Sequence, residues 1–289
     1  MTRHNATPTR LGLGCNRLGS VFGASSRDAE ILIRGAVDLG VHLFDTADVY
    51  GQGESERILG RTLGAQRSDV TIVTKAGQYF PLRWRAIQPL KKVLAPLASS
   101  LNVTRKFLKN SRAGMLPQDF SPSYLTNAAE RSLRRLKAEA LDVYLLHSPS
   151  PEILRAGEAM GTLAYLKAAG KVRRIGVSCE AFSTAFDALR DERIEVIQFP
   201  VAGEEDTDRF LAEARDTGKT LIARGVASDV VSRTDLSQSD KAKRIRAATQ
   251  MLLAKPELSS VLIGTTKLDH LRDVATAIGA SAKLELAKS

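Results

Sequence analysis

Cysteine is almost missing from this chain of 289 residues: only Cys15 and Cys179 occur. Two thiols make neither a disulfide framework nor a repeated CxxC metal site, so both are expected reduced and no metal is expected. Long apolar runs are missing too. No stretch approaches the roughly 20 apolar residues that cross a bilayer. Met1 to Arg10 is polar and leads into no such run, so the expected setting is soluble and cytoplasmic, with no membrane partner. Aromatic residues make up only 5% of the chain, while alanine and leucine are abundant, which suits many packed helices. No helix-turn-helix, zinc finger or RNA-binding aromatic motif is present. The net charge of +10 therefore reads as a basic surface, or as a field that attracts phosphorylated cofactors. Nucleic acid is not the expected partner.

What is present is a rhythm of short β-branched runs and amphipathic stretches. Strands are expected at Leu11 to Cys15, Val41 to Phe44, Val70 to Thr74, Leu141 to Leu146, Arg174 to Val177, Glu195 to Gln198, Thr220 to Ala223 and Val261 to Ile263. Helical spacing fills most gaps: Asp28 to Leu39, Glu54 to Leu63, Pro122 to Leu136, Ile153 to Ala169, Asp206 to Asp216, Ala242 to Ala254 and Leu268 to Ile278. About eight strands, most followed by a helix, predict a single-domain (β/α)8 TIM barrel over residues 1–289. Continuous Val/Ile/Leu runs suit parallel strands covered on both faces. A doubly wound sheet is the competitor, but Gly12, Gly14 and Gly19 lack the spacing of its glycine-rich turn. One segment breaks the rhythm. Ala76 to Ser123 is far longer than a normal βα connection and carries Tyr79, Phe80 and Trp84. It leaves the carboxyl end of a strand, so it is either a wall of the substrate pocket or a surface excursion.

The residues that end the apolar runs are polar. They are Asp45, Lys75, His147, Ser178, Gln198 and Arg224, and the eighth run opens into Gly264-Thr265-Thr266. A barrel gathers these positions at one rim. Each alone has an ordinary structural explanation; the joint set asks for a chemical one. HExxH is lacking, and Ser178 has no GxSxG frame. Asp45 and His147 are too few ligands for a metal. Lys75 could serve a lysine-dependent aldolase, which would form a Schiff base.

Phe44-Asp45-Thr46-Ala47-Asp48-Val49-Tyr50-Gly51 with Glu54-Ser55-Glu56, Val73-Thr74-Lys75, Ser132-Leu133-Arg134-Arg135-Leu136 and Leu141-Asp142-Val143-Tyr144-Leu145-Leu146-His147 together resemble the aldo-keto reductase family. Ile175-Gly176-Val177-Ser178, Val196-Ile197-Gln198 and Leu262-Ile263-Gly264-Thr265 resemble its cofactor stations, so the likeness runs almost the whole length in order. The resemblance implies a catalytic tetrad of Asp45, Tyr50, Lys75 and His147. It implies reduction of a small aldehyde or ketone, or the reverse oxidation of an alcohol. Hydride reaching a carbonyl carbon builds negative charge on oxygen, which a positioned acid must neutralise. Tyr50 fills that role, and a nearby Lys75 cation is expected to lower its pKa from about 10. Asp45 would hold Lys75, and His147 would orient the carbonyl.

On the cofactor side the resemblance implies that Ser178 and Gln198 hold the nicotinamide carboxamide, with Arg224 beside them. Gly264, Thr265, Thr266, Lys267 and His270 would cradle the adenosine phosphates. Lys267, His270 or Arg272 would choose NADPH over NADH, which stays possible. The chain departs from the family pattern at Cys179, at Phe199-Pro200-Val201-Ala202, at Val274, and at Arg224, where an aromatic beneath the ring is usual. These departures keep a second function open: a non-catalytic subunit that senses nucleotide on the same fold. The expected state is a monomer or loose homodimer.

Overall fold

The computed structural model describes residues 9–19, 23–81, 116–201, 203–232 and 237–286. Most of the expected excursion, residues 82–115, lies outside the described residues. Among the described residues there are eight strands: β1 (Thr9–Gly14), β2 (Val41–Asp45), β3 (Thr71–Ala76), β4 (Leu141–His147), β5 (Val172–Ser178), β6 (Val196–Pro200), β7 (Thr220–Arg224) and β8 (Leu258–Gly264). Each pairs in parallel with the next, and β8 pairs back onto β1, so the sheet closes into a barrel. This is the (β/α)8 fold expected, and the doubly wound alternative is excluded.

Helices cover the outside: α1 (Ser26–Asp38), α2 (Glu54–Leu63), α3 (Pro122–Leu136), α4 (Pro151–Ala156), α5 (Glu158–Ala168), α6 (Phe182–Leu189), α7 (Glu204–Ala214), α8 (Val226–Ser232), α9 (Gln238–Leu253) and α10 (Leu268–Leu286). Local chemistry sets their ends. In α3, Pro122 occupies the first turn, where its missing N–H costs nothing, and Ser121 Oγ accepts from the Tyr124 amide. Leu125, Ala128, Ala129, Leu133 and Leu136 then fall on one buried face. Among the described residues no helix is long and apolar enough to cross a membrane.

Two expectations needed correction, and helix α6 was not foreseen. Ile153 to Ala169 is two helices, because Gly157 takes a left-handed conformation (φ 76°) that ends α4 and starts α5. Helix α6 carries too short a polar pattern to read from sequence; Phe182 and Phe186 anchor it against Phe210, with Phe182 also meeting Phe199. Helix α1 is capped by Ser25, whose side chain accepts from the Asp28 amide, and so begins at Ser26, two residues before the expected Asp28.

Strand parity positions the functional rim. Side chains alternate between the two faces of a strand. Val73, Val143, Leu145, Val196, Ile222 and Leu262 form a small apolar cluster of their own inside the barrel, with Leu43 against it. Their neighbours Phe44, Ile72, Tyr144, Leu146, Val177, Ile197, Phe199 and Ile263 belong to the larger layer under the helices. Two residues beyond the inner cluster the parity is the same, so Asp45, Lys75, His147, Gln198, Arg224 and Gly264 form the top inner layer, joined by Ser178 from β5. Gly176 sits under Ser178 because a Cβ there would collide with the Val196 carbonyl oxygen.

Candidate active site

At the centre of the mouth is a buried ion pair. Lys75 Nζ lies 2.6 Å from Asp45 Oδ1, and Lys75 is 1% exposed. Its ammonium also donates to the Thr46 carbonyl at 2.8 Å. Buried and held by two acceptors, the Lys75 amine is not poised to attack a carbonyl, which argues against the aldolase reading. Asp45 Oδ1 is shared: Gln198 Nε2 donates to it at 2.7 Å. Gln198 Oε1 in turn accepts from Ser178 Oγ at 2.7 Å. The result is a chain from β5 through β6 and β2 to β3, all of it buried.

Tyr50 is brought over this chain by the loop after β2. The loop is pinned at both ends. Thr46 Oγ1 donates to Ser55 Oγ, which donates to the Cys15 carbonyl, and the Asp48 amide bonds the Lys75 carbonyl. Gly51, Gln52 and Gly53 follow with φ of 56°, 58° and 86°, turning the chain sharply into α2. Glycine fits the first and third of these positions without a Cβ penalty. The Tyr50 ring centroid lies 5.2 Å from Lys75 Nζ. The His147 ring stands edge-on to it, centroids 5.7 Å apart at 81°. The four residues expected to meet at the mouth do so.

A model of the aldo/keto reductase family matches residues 10–201. The chain belongs to this family. The oxidoreductase YqkF of Bacillus subtilis, itself uncharacterized, is 24% identical over 92% of this chain and 85% of its own length. The aldo-keto reductase yakc [NADP(+)] of Schizosaccharomyces pombe is 30% identical over 61% of this chain and 44% of its own length. The structure of aldo-keto reductase AKR11C1 from Bacillus halodurans superposes with a TM-score of 0.72 at 22% identity, covering 93% of this chain and 86% of that one. The resemblance and the oxidoreductase class expected from sequence are both borne out.

In this aldo-keto reductase, burial raises the Tyr50 pKa above its usual value, and the Lys75 charge and hydrogen bond only partly oppose that. The net rise corrects the expected fall: Lys75 acts in the expected direction, but desolvation outweighs it. Tyr50 therefore keeps its proton. His147 is held well below its normal range by burial, with the Lys75 and Arg224 charges acting the same way. It is a neutral imidazole, and its Nδ1 is buried with no partner among the described residues. A phenol and a neutral imidazole stand edge to face at the mouth, a pairing that suits a carbonyl oxygen.

The cofactor stations divide in two. Ser178 and Gln198 sit in the buried chain; one amide hydrogen of Gln198 and the lone pairs of Ser178 remain for a carboxamide. Gly264 is exposed, with open space where a Cβ would stand. Thr265 Oγ1 accepts from the Lys267 amide, shaping the turn into α10, whose N-terminal amides favour phosphate. Thr266 is half-buried, while Lys267 and His270 are exposed. Arg272 pairs with Asp269 within α10. These residues fit a dinucleotide lying across the rim. Phe199, by contrast, points outward into the aromatic group with Phe210, centroids 4.7 Å apart, so its departure from the pattern is a packing matter. Among the described residues no His/Cys/Asp/Glu group could hold a metal.

Some contributors escaped the sequence reading. Thr46 acts through its carbonyl, which no motif announces. Glu180 pairs with Arg224 at 2.7 Å. Behind the site, Glu56 is fully buried against Arg135 at 2.6 Å and accepts from Thr74 Oγ1 at 2.6 Å. Both Glu56 and Arg135 lie in segments that carried the family resemblance, which was the only signal that could have found them. Cys15 and Cys179 are free and buried; burial pushes the Cys179 thiol up to about 12, so neither is a nucleophile.

Proposed function

We propose that this protein reduces aldehydes or ketones to alcohols with NADPH, and that Tyr50 gives the proton. The observation that carries the reading is the buried Asp45–Lys75 pair under the Tyr50 ring, beside a neutral His147. A reduced nicotinamide, when bound, would supply the hydride to the carbonyl carbon. Tyr50 O–H and the imidazole N–H hold the carbonyl oxygen, and as charge grows there Tyr50 transfers its proton. The phenolate left behind is stabilised by Lys75, which Asp45 and the Thr46 carbonyl keep in place. Proton uptake from solvent restores the phenol. Ser178 and Gln198 would hold the ring's carboxamide, and Gly264 to His270 would receive the phosphates. The NADP(+) in the name of the yakc relative and the basic Lys267, His270 and Arg272 support NADPH over NADH.

The test is NADPH oxidation across a panel of aldehydes and ketones, with Tyr50→Phe beside the wild type. Turnover is expected to fall about 10²- to 10⁴-fold, with NADPH affinity by fluorescence titration within about twofold. Unchanged turnover in Tyr50→Phe would remove Tyr50 as the acid. A wild type that binds NADPH yet reduces nothing on the panel would favour the nucleotide-sensing reading.

A further inference from the structure

Arg224 is a cation at a place where the proposed chemistry changes charge. It ends β7 on the inner parity, yet its guanidinium does not stay over its own strand. Nη2 donates to the Cys179 carbonyl at 2.6 Å, at the end of β5. To reach it the side chain crosses the end of β6, which lies between β5 and β7 and carries Gln198. The guanidinium therefore lies across the rim beside Ser178 and Gln198. Nε is buried with no partner among the described residues. The counter-charge, Glu180 Oε2, is 2.7 Å from Nη2, but its side chain is 67% exposed against 25% for Arg224. The pair is thus a dipole, with its positive end toward the site and its negative end in water. The charge reaches the reacting groups: it bears on both Tyr50 and His147.

Hydride transfer requires the nicotinamide ring to stand within about 3–3.5 Å of a carbonyl carbon. The oxygen of that carbonyl lies between Tyr50 and His147. Whatever its pose, the ring then feels Arg224. The reduced ring is neutral; the oxidised ring carries a positive charge. We infer that Arg224 is a specificity residue for the redox state of the cofactor, weakening NADP+ while leaving NADPH nearly untouched. This rests on the function proposed above and goes beyond it. The overall equilibrium between free reactants is unaffected. What changes is occupancy: the enzyme fills with the reduced dinucleotide and sheds the oxidised one, so product inhibition by NADP+ is weak. Binding that favours the reduced form does not make bound NADPH a stronger reductant. The driving force for hydride donation must come from proton delivery by Tyr50 and from stabilisation of the nascent oxyanion.

The decisive measurement is the dissociation constant of each nucleotide, NADPH by its fluorescence and NADP+ by competition against it. Arg224→Gln should tighten NADP+ about tenfold, as expected for a unit charge about 12 Å away at an effective dielectric of about 20, while NADPH stays within about twofold. Glu180→Gln removes the screening counter-charge and should move NADP+ the opposite way, weakening it by about two- to threefold. Glu180 is exposed, so this variant keeps the test available if Arg224→Gln folds poorly. Opposite shifts confined to NADP+ support the inference. Equal shifts of both nucleotides in Arg224→Gln would make Arg224 an ordinary contact residue and overturn it. So would an NADP+/NADPH ratio that neither variant moves. A wild type that binds neither nucleotide would remove the cofactor reading itself, a distinct failure.

Discussion

Two buried ion pairs flank the loop that carries Tyr50, and they differ in almost nothing except the face of β3 they use. Asp45 and Lys75 meet inside the barrel mouth. Glu56 and Arg135 meet outside it, where α2 packs on α3. Lys75 points inward; Thr74, one residue earlier, points outward and donates to Glu56 Oε1. Each pair has a carboxylate with a neutral donor added: Gln198 for Asp45, Thr74 for Glu56. Both are desolvated, and a buried pair is weak evidence for stability. On the proposed mechanism the inner pair faces the space where charge develops. Its outer counterpart is packed between α2, α3 and the outer face of β3, so it can do no more than hold the loop.

The strongest way to break this comparison is to neutralise each pair whole. Removing both partners avoids leaving an unpaired buried charge, which alone costs about 3–5 kcal/mol. Asp45→Asn with Lys75→Met should lower carbonyl reduction by about 10²- to 10⁴-fold, because Tyr50 loses the cation that supports its phenolate. Glu56→Gln with Arg135→Met should change stability by a similar amount to the inner replacement but leave folded-enzyme turnover within about tenfold. The checks are urea unfolding and steady-state NADPH oxidation on the same preparations. Loss of turnover from the outer replacement, at normal stability, would show that the two faces of β3 are not separate in function.

The inner pair was legible in the sequence and the outer pair was not. Asp45, Lys75, His147, Ser178, Gln198 and Arg224 all end apolar runs, and a closed barrel converts that into one rim. Period-two alternation then does the rest, since each stands two residues beyond an inner apolar residue or the small Gly176. Glu56 and Arg135 sit inside helices, where charged residues are normally solvated, and no periodic signal marks them as buried partners. The split of α4 from α5 depended on one glycine dihedral. The sign of the Tyr50 shift depended on burial, which competes with the Lys75 charge and has no sequence signature. Occupancy by Arg224 of a site where an aromatic is usual was visible as a departure. Its reach across β6 to the Cys179 carbonyl was not.

Asp48 feels the outer pair and tests how far its field extends. Burial raises its pKa to about 7; the Glu56 charge adds to the rise, while Arg135, Arg131 and the Tyr124 hydrogen bond oppose it. Its Oδ1 has no partner among the described residues, and Tyr124 donates to Oδ2 at 3.3 Å. The folded state therefore holds this proton more tightly than the unfolded chain, whose value is near 3.8. Stability is fully present below about pH 4 and is lost as pH rises toward about 7. Asp48→Asn removes the titration and keeps an acceptor for Tyr124. Its unfolding free energy should match the wild type near pH 4 and exceed it by on the order of 2–4 kcal/mol near pH 8. Parallel stability curves from urea melts across that range would show that Asp48 is not a buried acid.

The finest contrast is between the two neutral donors. Thr74→Val and Gln198→Leu each remove one hydrogen bond to a buried carboxylate, worth about 1.5–3 kcal/mol when the acceptor is charged. Both variants should lose stability on that scale. Thr74→Val should leave kcat/KM within about twofold, because Glu56 stays held by Arg135 and touches no reacting group. Gln198→Leu should lower kcat/KM by about tenfold beyond any change in NADPH affinity, because Asp45 loses the partner that fixes its angle to Lys75. The separation matters because Gln198 is also the expected holder of the carboxamide. If the whole loss appeared as weaker NADPH binding with kcat unchanged, Gln198 would be a cofactor contact alone. The Ser178–Gln198–Asp45–Lys75 chain would then be a packing arrangement rather than a support for proton transfer.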